Sequence, residues 1–197
     1  MTGDARDPGY FDALYAADAD PWRFETSDYE AKKYADTVAA LPRQHYAAAV
    51  EFGCSIGVLT EQLAAHADTV LGIDVAQAAL DRAAARCAAL PHVQFARIRI
   101  PDEMPEQSFD LIVLSEVLYY FDPATLARLA DRLRVVAAPG SDLILVHWLG
   151  PTPDYPLNGD AAVATFLAAV AGWTRVTQQA RRQDYRLDVL RAVPAPQ

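Results

Sequence analysis

The segment EFGCSIG (51–57) carries two glycines at a point where an apolar run gives way to a helical pattern. Gly53 permits a tight turn that brings the backbone close to a ligand, and Gly57 lets the start of the helix pack closely on a sheet. The spacing differs from the Gly-x-Gly-x-x-Gly pattern of dinucleotide-binding enzymes, because Cys54 fills the position between and no phosphate cradle is formed. Taken alone, the glycine pair is equally compatible with an ordinary turn.

Asp74 ends the next apolar run, 21 residues beyond Gly53. An acid at this position is placed to accept hydrogen bonds from both ribose hydroxyls of a nucleoside held over the first turn. The alternative is an N-cap for the helix that follows, where aspartate is equally suitable. The combination with the glycine turn at this spacing favours the nucleoside.

His147 differs from the other three histidines in its position at the end of a predicted strand. A histidine titrates near neutrality, so this side chain is a candidate general base for removing a proton from a bound hydroxyl. The alternative is a half-buried histidine whose hydrogen bonds are satisfied within the fold. Glu30, on an N-terminal helix, could orient His147 or hold a substrate hydroxyl, although its spacing from Ser27 also predicts a capping box.

Aromatic residues gather near the ends of two predicted strands. Tyr119, Tyr120 and Trp148 are candidates for an aromatic wall, which suits the face of a sugar and also suits plain packing. Tyr29 could reach across the mouth of the same site from the N-terminal helix. The proline-rich segment 148–160 is predicted to lack regular structure and to form a lid over the acceptor.

These residues require a sheet to bring them together, and the chain alternates short apolar runs with longer helical segments. Strands are predicted over 47–53, 69–74, 92–100, 109–116 and 141–148, and a closing hairpin over 173–180 and 185–193. Helices are predicted over 9–17, 27–41, 58–67, 76–90, 123–137 and 159–172. The alternation predicts an α/β fold with a Rossmann-like, doubly wound, mostly parallel seven-stranded sheet and an antiparallel edge. Residues 1–45 are predicted to form a helical cap that is not fully ordered without ligand, and 46–197 the main domain.

Length, composition and charge restrict the possible classes of protein. The chain has 197 residues, 52% of them hydrophobic and 22% charged, which is typical of one globular domain with its own core. Cys54 and Cys87 cannot form a disulfide framework and lack the partner pattern of a zinc site, so no metal is expected. The formal net charge of −9 disfavours a broad nucleic-acid surface. The polar, acidic start and the lack of a membrane-length apolar stretch predict a cytoplasmic protein.

Four segments together resemble a class I S-adenosyl-L-methionine-dependent methyltransferase: EFGCSIG (51–57), GIDV (72–75), FDLIVLSEVLYYF (109–121) and APGSDLILVHW (138–148). The segments DPWRFETSDYE (20–30), GCSIGVLTEQLA (53–64) and SEVLYYF (115–121) are similar, more narrowly, to the NodS family. That family comprises nodulation methyltransferases that N-methylate a deacetylated chitooligosaccharide. The resemblance covers roughly residues 10–150.

The resemblance implies roles for particular residues around the cofactor. Glu51 would lie beneath the first turn, Ser115 would face the methionine end, and Glu116 would face the methionine end and the substrate. Arg23 would pair with the cofactor carboxylate, or lie on a solvated loop. The remaining implied cofactor contacts are Trp22 as a cap, Gly53, Cys54 and Gly57 around the methionine, Asp74 at the ribose and Val75 at the adenine.

One segment departs from the family pattern. Arg99 stands where relatives have an aspartate that accepts from the adenine amino group. Backbone groups could serve the adenine instead, with Ile100 as an apolar wall, or Asp102 could be the displaced acid.

The leading prediction is a metal-independent methyltransferase that O-methylates a small saccharide with His147 as base, releasing S-adenosyl-L-homocysteine. The alternatives are N-methylation of a deacetylated amino sugar and a catalytically silent, cofactor-binding partner subunit. An NAD-dependent oxidoreductase is disfavoured by the missing third glycine and by the lack of a Tyr-x-x-x-Lys pair. A small saccharide is the predicted partner, and binding to nucleic acid or to a membrane is not expected. The protein is predicted to be a monomer or a homodimer.

Overall fold

The computed structural model describes residues 8–193 and contains six α-helices and seven strands in that range. The helices are α1 (Pro8–Ala17), α2 (Asp28–Ala39), α3 (Val58–Leu63), α4 (Gln77–Arg86), α5 (Pro123–Val136) and α6 (Gly159–Val170). The strands are β1 (Tyr46–Phe52), β2 (Ala67–Asp74), β3 (Val93–Arg97), β4 (Phe109–Ser115), β5 (Ala137–Trp148), β6 (Thr174–Arg181) and β7 (Tyr185–Ala192). Within this part of the chain, no helix is long and apolar enough to cross a membrane.

The seven strands form one sheet in the order β3-β2-β1-β4-β5-β7-β6. The five strands from β3 to β5 are parallel, whereas β7 pairs antiparallel with both β5 and β6. The predicted doubly wound sheet with an antiparallel closing pair at one edge is therefore confirmed. The chain runs outward from β1 in one direction and from β4 in the other, which opens a crevice between their carboxyl ends.

The central strands are apolar on both faces because helices cover both sides of the sheet. In β4, the five apolar residues from Phe109 to Leu114 are fully buried, and only Asp110 is partly exposed. One core cluster joins the sheet to α5 and α6. A second packs α2 and α3 on the opposite face, and a small third cluster joins α1 to α4. Together these clusters hold the strand ends that carry the polar residues.

Several element ends differ from the sequence prediction. The strand predicted over 92–100 ends at Arg97, and the helix predicted over 76–90 ends at Arg86. The strand predicted to begin at 141 begins at Ala137 and is irregular at its start, where Gly140 has a φ of +74°. Short-range patterns set these ends poorly, since neighbouring strands and not propensity decide where pairing stops. The predicted cap and main domain extend at their outer ends beyond the described residues.

Candidate active site

A cleft of about 700 Å³ lies at the carboxyl ends of the parallel strands and is closed on one side by the N-terminal segment. Its walls include residues of α1, α2 and the intervening loop, together with residues that end β2, β4 and β5. The predicted site residues that line it are Trp22, Tyr29, Glu30, Gly53, Asp74, Val75, Arg99, Ile100, Ser115, Glu116, Tyr119, Tyr120 and Trp148. The predicted residues outside its lining are Arg23, Glu51, Cys54, Gly57 and His147.

The first turn follows β1 and has a left-handed backbone at two glycines. Gly53 has a φ of +80°, and a Cβ atom there would lie 3.4 Å from the carbonyl oxygen of Ser115. Gly57 has a φ of +79°, and a Cβ atom there would lie 2.9 Å from the Cβ of Ala83. Gly53 therefore gives the turn a backbone conformation that other residues rarely adopt, whereas Gly57 allows α3 and α4 to approach each other.

Asp74 lies on the cleft wall and accepts two backbone hydrogen bonds. Its Oδ2 accepts from the N–H of Ser55 at 2.9 Å, and its Oδ1 accepts from the N–H of Ala76 at 3.0 Å. Burial raises the pKa of Asp74 and outweighs these hydrogen bonds, which lower it. Ala76 is the N-cap residue of α4, so Asp74 supports the start of the helix from two positions before the N-cap and still lines the cleft.

Aromatic side chains of the N-terminal segment cover the first turn. Trp22 stacks on Phe24 with ring centroids 5.6 Å apart and meets Tyr15 edge-on at 5.7 Å. The hydroxyl of Tyr15 is hydrogen-bonded to that of Ser55. Tyr15 and Phe24 line the cleft beside Trp22 and were not identified from the sequence, although the aromatic texture of this segment was apparent.

Arg23 points away from the cleft. Its side chain is 71% exposed, and its nearest carboxylate is that of Asp18 at 3.9 Å. The solvated-loop alternative therefore describes the position of Arg23 in this structure.

Glu51 and Cys54 lie below the first turn, beside a second cavity of about 20 Å³. Glu51 is buried and accepts a hydrogen bond from the hydroxyl of Thr60, and burial raises its pKa to about 8. Cys54 is also buried, and burial raises the pKa of its thiol. A protonated thiol of this kind is a poor nucleophile, so Cys54 contributes packing beneath the turn.

Glu116 lines the cleft at the end of β4 and accepts three hydrogen bonds. Its Oε2 accepts from the hydroxyl of Tyr119 and from the backbone N–H of Trp148, each at 2.9 Å. Its Oε1 accepts from the ammonium of Lys33 at 2.6 Å. Burial raises the pKa of Glu116, but the nearby Lys33 outweighs this and the pKa lies below its ordinary value.

Lys33 is a charged residue of the cleft that the sequence analysis did not identify. It is 1% exposed, lines the cleft from α2, and lies 3.1 and 2.9 Å from the two carboxylate oxygens of Glu30. Helical spacing places Lys33 on the same face as Tyr29 and Thr37, and this apolar face was the available signal. A lysine on such a face indicates a buried charge with partners elsewhere in the fold.

The capping box is present only in part. The hydroxyl of Ser27 accepts from the N–H of Glu30 at 3.3 Å, as predicted. The N–H of Ser27, however, donates to the carbonyl oxygen of Arg23 at 2.9 Å, and the carboxylate of Glu30 turns to Lys33. Glu30 is therefore available to the cleft.

His147 is fully buried and does not line the cleft. Its Nε2 accepts a hydrogen bond from the backbone N–H of Leu118 at 3.1 Å, which places the proton of the neutral ring on Nδ1. Burial lowers the pKa of His147 to about 4. The geometry is unfavourable to the predicted general base, because the nitrogen that would accept a proton is occupied and the ring does not line the cleft.

The predicted aromatic wall extends further than the sequence indicated. Tyr119 stacks on Tyr155 with centroids 5.4 Å apart and an interplanar angle of 6°, and Tyr120 meets Tyr155 edge-on at 4.6 Å. Tyr29 meets Trp148 edge-on at 5.6 Å. Tyr155 belongs to the irregular segment between β5 and α6, so the segment predicted as a lid does border the cleft.

The sheet has the strand order of the Rossmann-like methyltransferase fold, in which antiparallel β7 lies between β5 and the edge strand β6. The cleft lies over the ends of β1 and β4, as this fold requires. A Pseudomonas syringae protein assigned as a methyltransferase is 36% identical, with a TM-score of 0.72 over 83% of this chain and 98% of that one. The N-methyltransferase NodS of Bradyrhizobium japonicum WM9, in complex with S-adenosyl-L-homocysteine, has a TM-score of 0.81 at 23% identity. That match covers 94% of this chain and 98% of the other.

The chain belongs to the NodS family, since residues 13–146 match the family of Nodulation protein S. Nodulation protein S of Rhizobium tropici is 37% identical over 131 residues, which are 66% of this chain and 55% of that protein. Trans-aconitate 2-methyltransferase of Deinococcus radiodurans is 34% identical over 140 residues, which are 69% of this chain and 48% of that protein. The chain thus spans about half the length of these two relatives.

Proposed function

We propose that this protein is an S-adenosyl-L-methionine-dependent N-methyltransferase whose acceptor is the amine of a small, deacetylated saccharide. The observation that carries the proposal is the acceptor side of the cleft. It presents carboxylates and aromatic rings, while the one histidine at this edge is buried with its Nε2 occupied. Membership of the NodS family supports an amine acceptor in preference to the hydroxyl favoured by the sequence alone.

The residues of the cleft fit the cofactor. Gly53 lines the cleft without a side chain, so a ligand can lie against its backbone, and Asp74 supplies a carboxylate for ribose hydroxyls. We assign Val75, Arg99 and Ile100 to the adenine side and Ser115 to the methionine side. When bound, the cofactor supplies a methyl group on a sulfonium, which is already activated for transfer. About 700 Å³ is within the usual range of small-molecule sites.

Trp22 completes this assignment as the cap over the cofactor, because its ring lines the cleft directly above the first turn. Glu51 and Cys54 support the turn from below, and Gly57 supports it through its contact with α4. Arg23 has no role in the proposal, since its side chain is directed to solvent.

An amine that binds as an ammonium needs only to be oriented and to give up one proton before it attacks, so the site requires less of its protein than a hydroxyl would. Glu30 is the carboxylate suited to accept that proton, because burial raises its pKa above the ordinary value. Glu116 is suited to hold the amine by accepting a hydrogen bond. Tyr29, Tyr119, Tyr120 and Trp148 supply rings against which a sugar face can pack.

The charge of the cleft also disfavours a polycarboxylate acceptor such as the one named for the Deinococcus relative. Four acidic side chains line it, namely Glu30, Asp74, Asp102 and Glu116. Three cations also line it: Lys33 is held by the two glutamates, Arg128 lies 3.3 Å from Asp102, and Arg99 is the third. One net negative charge remains on the lining, which repels a trianion and attracts an ammonium.

The test has two steps. Isothermal titration with S-adenosyl-L-homocysteine, with NADH as the control, is expected to show micromolar binding of the former alone. Transfer from labelled cofactor is then measured to glucosamine oligomers and to N-acetylglucosamine oligomers of equal length, which have the same hydroxyls but a blocked amine. Trans-aconitate completes the panel.

We expect label only in the glucosamine oligomers, on nitrogen by mass spectrometry. Label in the acetylated oligomers would establish O-methylation instead. Binding without transfer to any acceptor would favour the silent partner subunit, and absence of binding would refute the enzyme.

A further inference from the structure

Lys33 joins two separate elements at the wall of the cleft. It is carried by α2, as is Glu30, while Glu116 follows the carboxyl end of β4 with a left-handed φ of +56°. The ammonium lies 2.6 Å from Glu116 and 2.9 Å from Glu30, and the lysine side chain is only 2% exposed. One buried cation is therefore shared between two carboxylates, both of which line the same cleft.

The other groups around the cation carry no charge near neutral pH. Tyr29 and Tyr34 face the ammonium with their rings, 5.2 and 5.8 Å from Nζ to the ring centroids. Burial raises the pKa of Tyr29, Tyr34 and Tyr119, and burial lowers that of His147 to about 4, so these four groups are neutral. The cluster of Lys33 with its two glutamates consequently has one net negative charge.

A buried cation without partners would be too costly to keep, and so would either glutamate. Burial lowers the pKa of Lys33, yet the two carboxylates outweigh burial and raise it. Two carboxylates held this close without a cation would repel each other, and one of them would take up a proton.

We propose that Lys33 is a positioning residue that keeps Glu30 and Glu116 ionised and fixed on the acceptor side of the cleft. The inference deepens the proposed function: the remaining single negative charge selects an acceptor that arrives as a cation. Because Lys33 touches Glu116 from α2, the same contact couples the N-terminal helix to the strand end that carries the acceptor residues. With Lys33 in place, both carboxylates act on the amine: Glu30 accepts its proton, and Glu116 accepts a hydrogen bond from it.

Titration of the carboxyl groups tests the inference without any acceptor. The protein is labelled with ¹³C at the glutamate side-chain carboxyl carbons, and the two signals are assigned with E30Q and E116Q. In K33M we expect one of the two carboxyls to titrate about 1–3 pH units higher than in the wild type. K33R should titrate like the wild type, and K32M, which alters the exposed neighbouring lysine, is the matched control. Unchanged titration in folded K33M would overturn the inference.

A second comparison covers the case in which K33M fails to fold. E116Q and E116Q/K33M both lack the second carboxylate, and the double variant has the same net charge in the cluster as the wild type. The signal of Glu30 is expected to titrate at least 1 pH unit higher in E116Q/K33M than in E116Q. Equal titration in these two variants would contradict the role of Lys33 as firmly as the first result.

Activity measurements test the role of Lys33 in the reaction. With glucosamine oligomers as acceptor, the acidic limb of the pH profile of kcat/KM should move upward in K33M by the same interval as the carboxyl titration. A lysine that merely packs would lower the rate equally at every pH, which would refute the inference. If wild-type protein transfers no methyl group, the proposed function fails, and the carboxyl titration still decides what Lys33 does.

Discussion

Replacing His147 by glutamine tests whether this ring is a buried neutral group or a base that exchanges protons with the cleft. The imidazole is fully buried and accepts from the N–H of Leu118, and the glutamine oxygen offers an acceptor of similar reach. The change should therefore preserve the turn that carries Tyr119 and Tyr120. What it removes is a group that must stay unprotonated in the folded state.

The expected effect follows from the difference between two pKa values. An ordinary histidine titrates near 6.5, whereas burial lowers the pKa of His147 to about 4. Protonation thus favours the unfolded chain, so the stabilisation is complete above pH 6.5 and is lost as pH falls toward 4. The total is about 3 kcal/mol, of which about 2 kcal/mol is lost between pH 7 and pH 5.

Glu51 acts in the opposite direction over the same range. Burial raises its pKa to about 8 from an ordinary value of 4.5, so the folded state holds a proton that the unfolded chain releases. This contribution is complete below pH 4.5 and is lost as pH rises through 8. The stability of the wild type alone mixes both trends, and the informative quantity is the difference between wild type and variant.

The assay is urea unfolding of wild type, H147Q and E51Q at pH 5, 6, 7 and 8. From pH 7 to pH 5 the free energy of unfolding of wild type should fall by about 2 kcal/mol relative to H147Q. Relative to E51Q it should rise. A difference between wild type and H147Q that stays constant across this range would refute the buried neutral ring. H147Q should also keep kcat within about tenfold, whereas loss of a true general base costs about 10²–10⁴-fold.

Three further predictions concern the cleft. Gly53→Ala and Gly140→Ala both place a side chain at positive φ, so each should lower the free energy of unfolding by about 1 kcal/mol. Only Gly53→Ala, where the Cβ meets Ser115, should abolish S-adenosyl-L-homocysteine binding measured by calorimetry. Asp74→Asn should weaken that binding at least about tenfold, since charge-assisted hydrogen bonds contribute roughly 1.5–3 kcal/mol. The control is Asp81→Asn, at an exposed position of α4, and an equal loss of binding in this control would contradict the prediction. Tyr29→Phe removes a buried hydroxyl that has no hydrogen-bond partner within residues 8–193, so thermal stability should hold or rise, and a raised KM for glucosamine oligomers would assign the hydroxyl to the acceptor.

Much of the fold was determined by short-range pattern. The apolar runs that became β1, β2, β4 and β5 have the lengths of buried strands, and the alternation with helices leaves few topologies once crossovers must be right-handed. Gly53 and Asp74 could be assigned to the cleft on the same basis, because the ligand edge of such a sheet is where the strands end.

The same short-range patterns did not predict where individual side chains lie. His147 occupies the strand position predicted for it, yet its ring does not line the cleft and accepts a hydrogen bond from the backbone of Leu118. Alternation along a strand indicates that neighbouring residues point to opposite faces, but not which neighbours fill the space on each face. Arg23 illustrates the same limit on a loop, where nothing local fixes the direction of a long side chain.

The sequence by itself determined the sheet, the edge of the sheet at which the cleft lies and the family to which the chain belongs, because each depends on residues close together in the chain. Only the tertiary structure decided which side chains meet across that edge. Lys33 and Glu116 are 83 positions apart, and no spacing rule relates them. Their contact exists because α2 packs over the end of β4, where a buried charge must find a partner of opposite sign. That requirement sets the charge of the acceptor site.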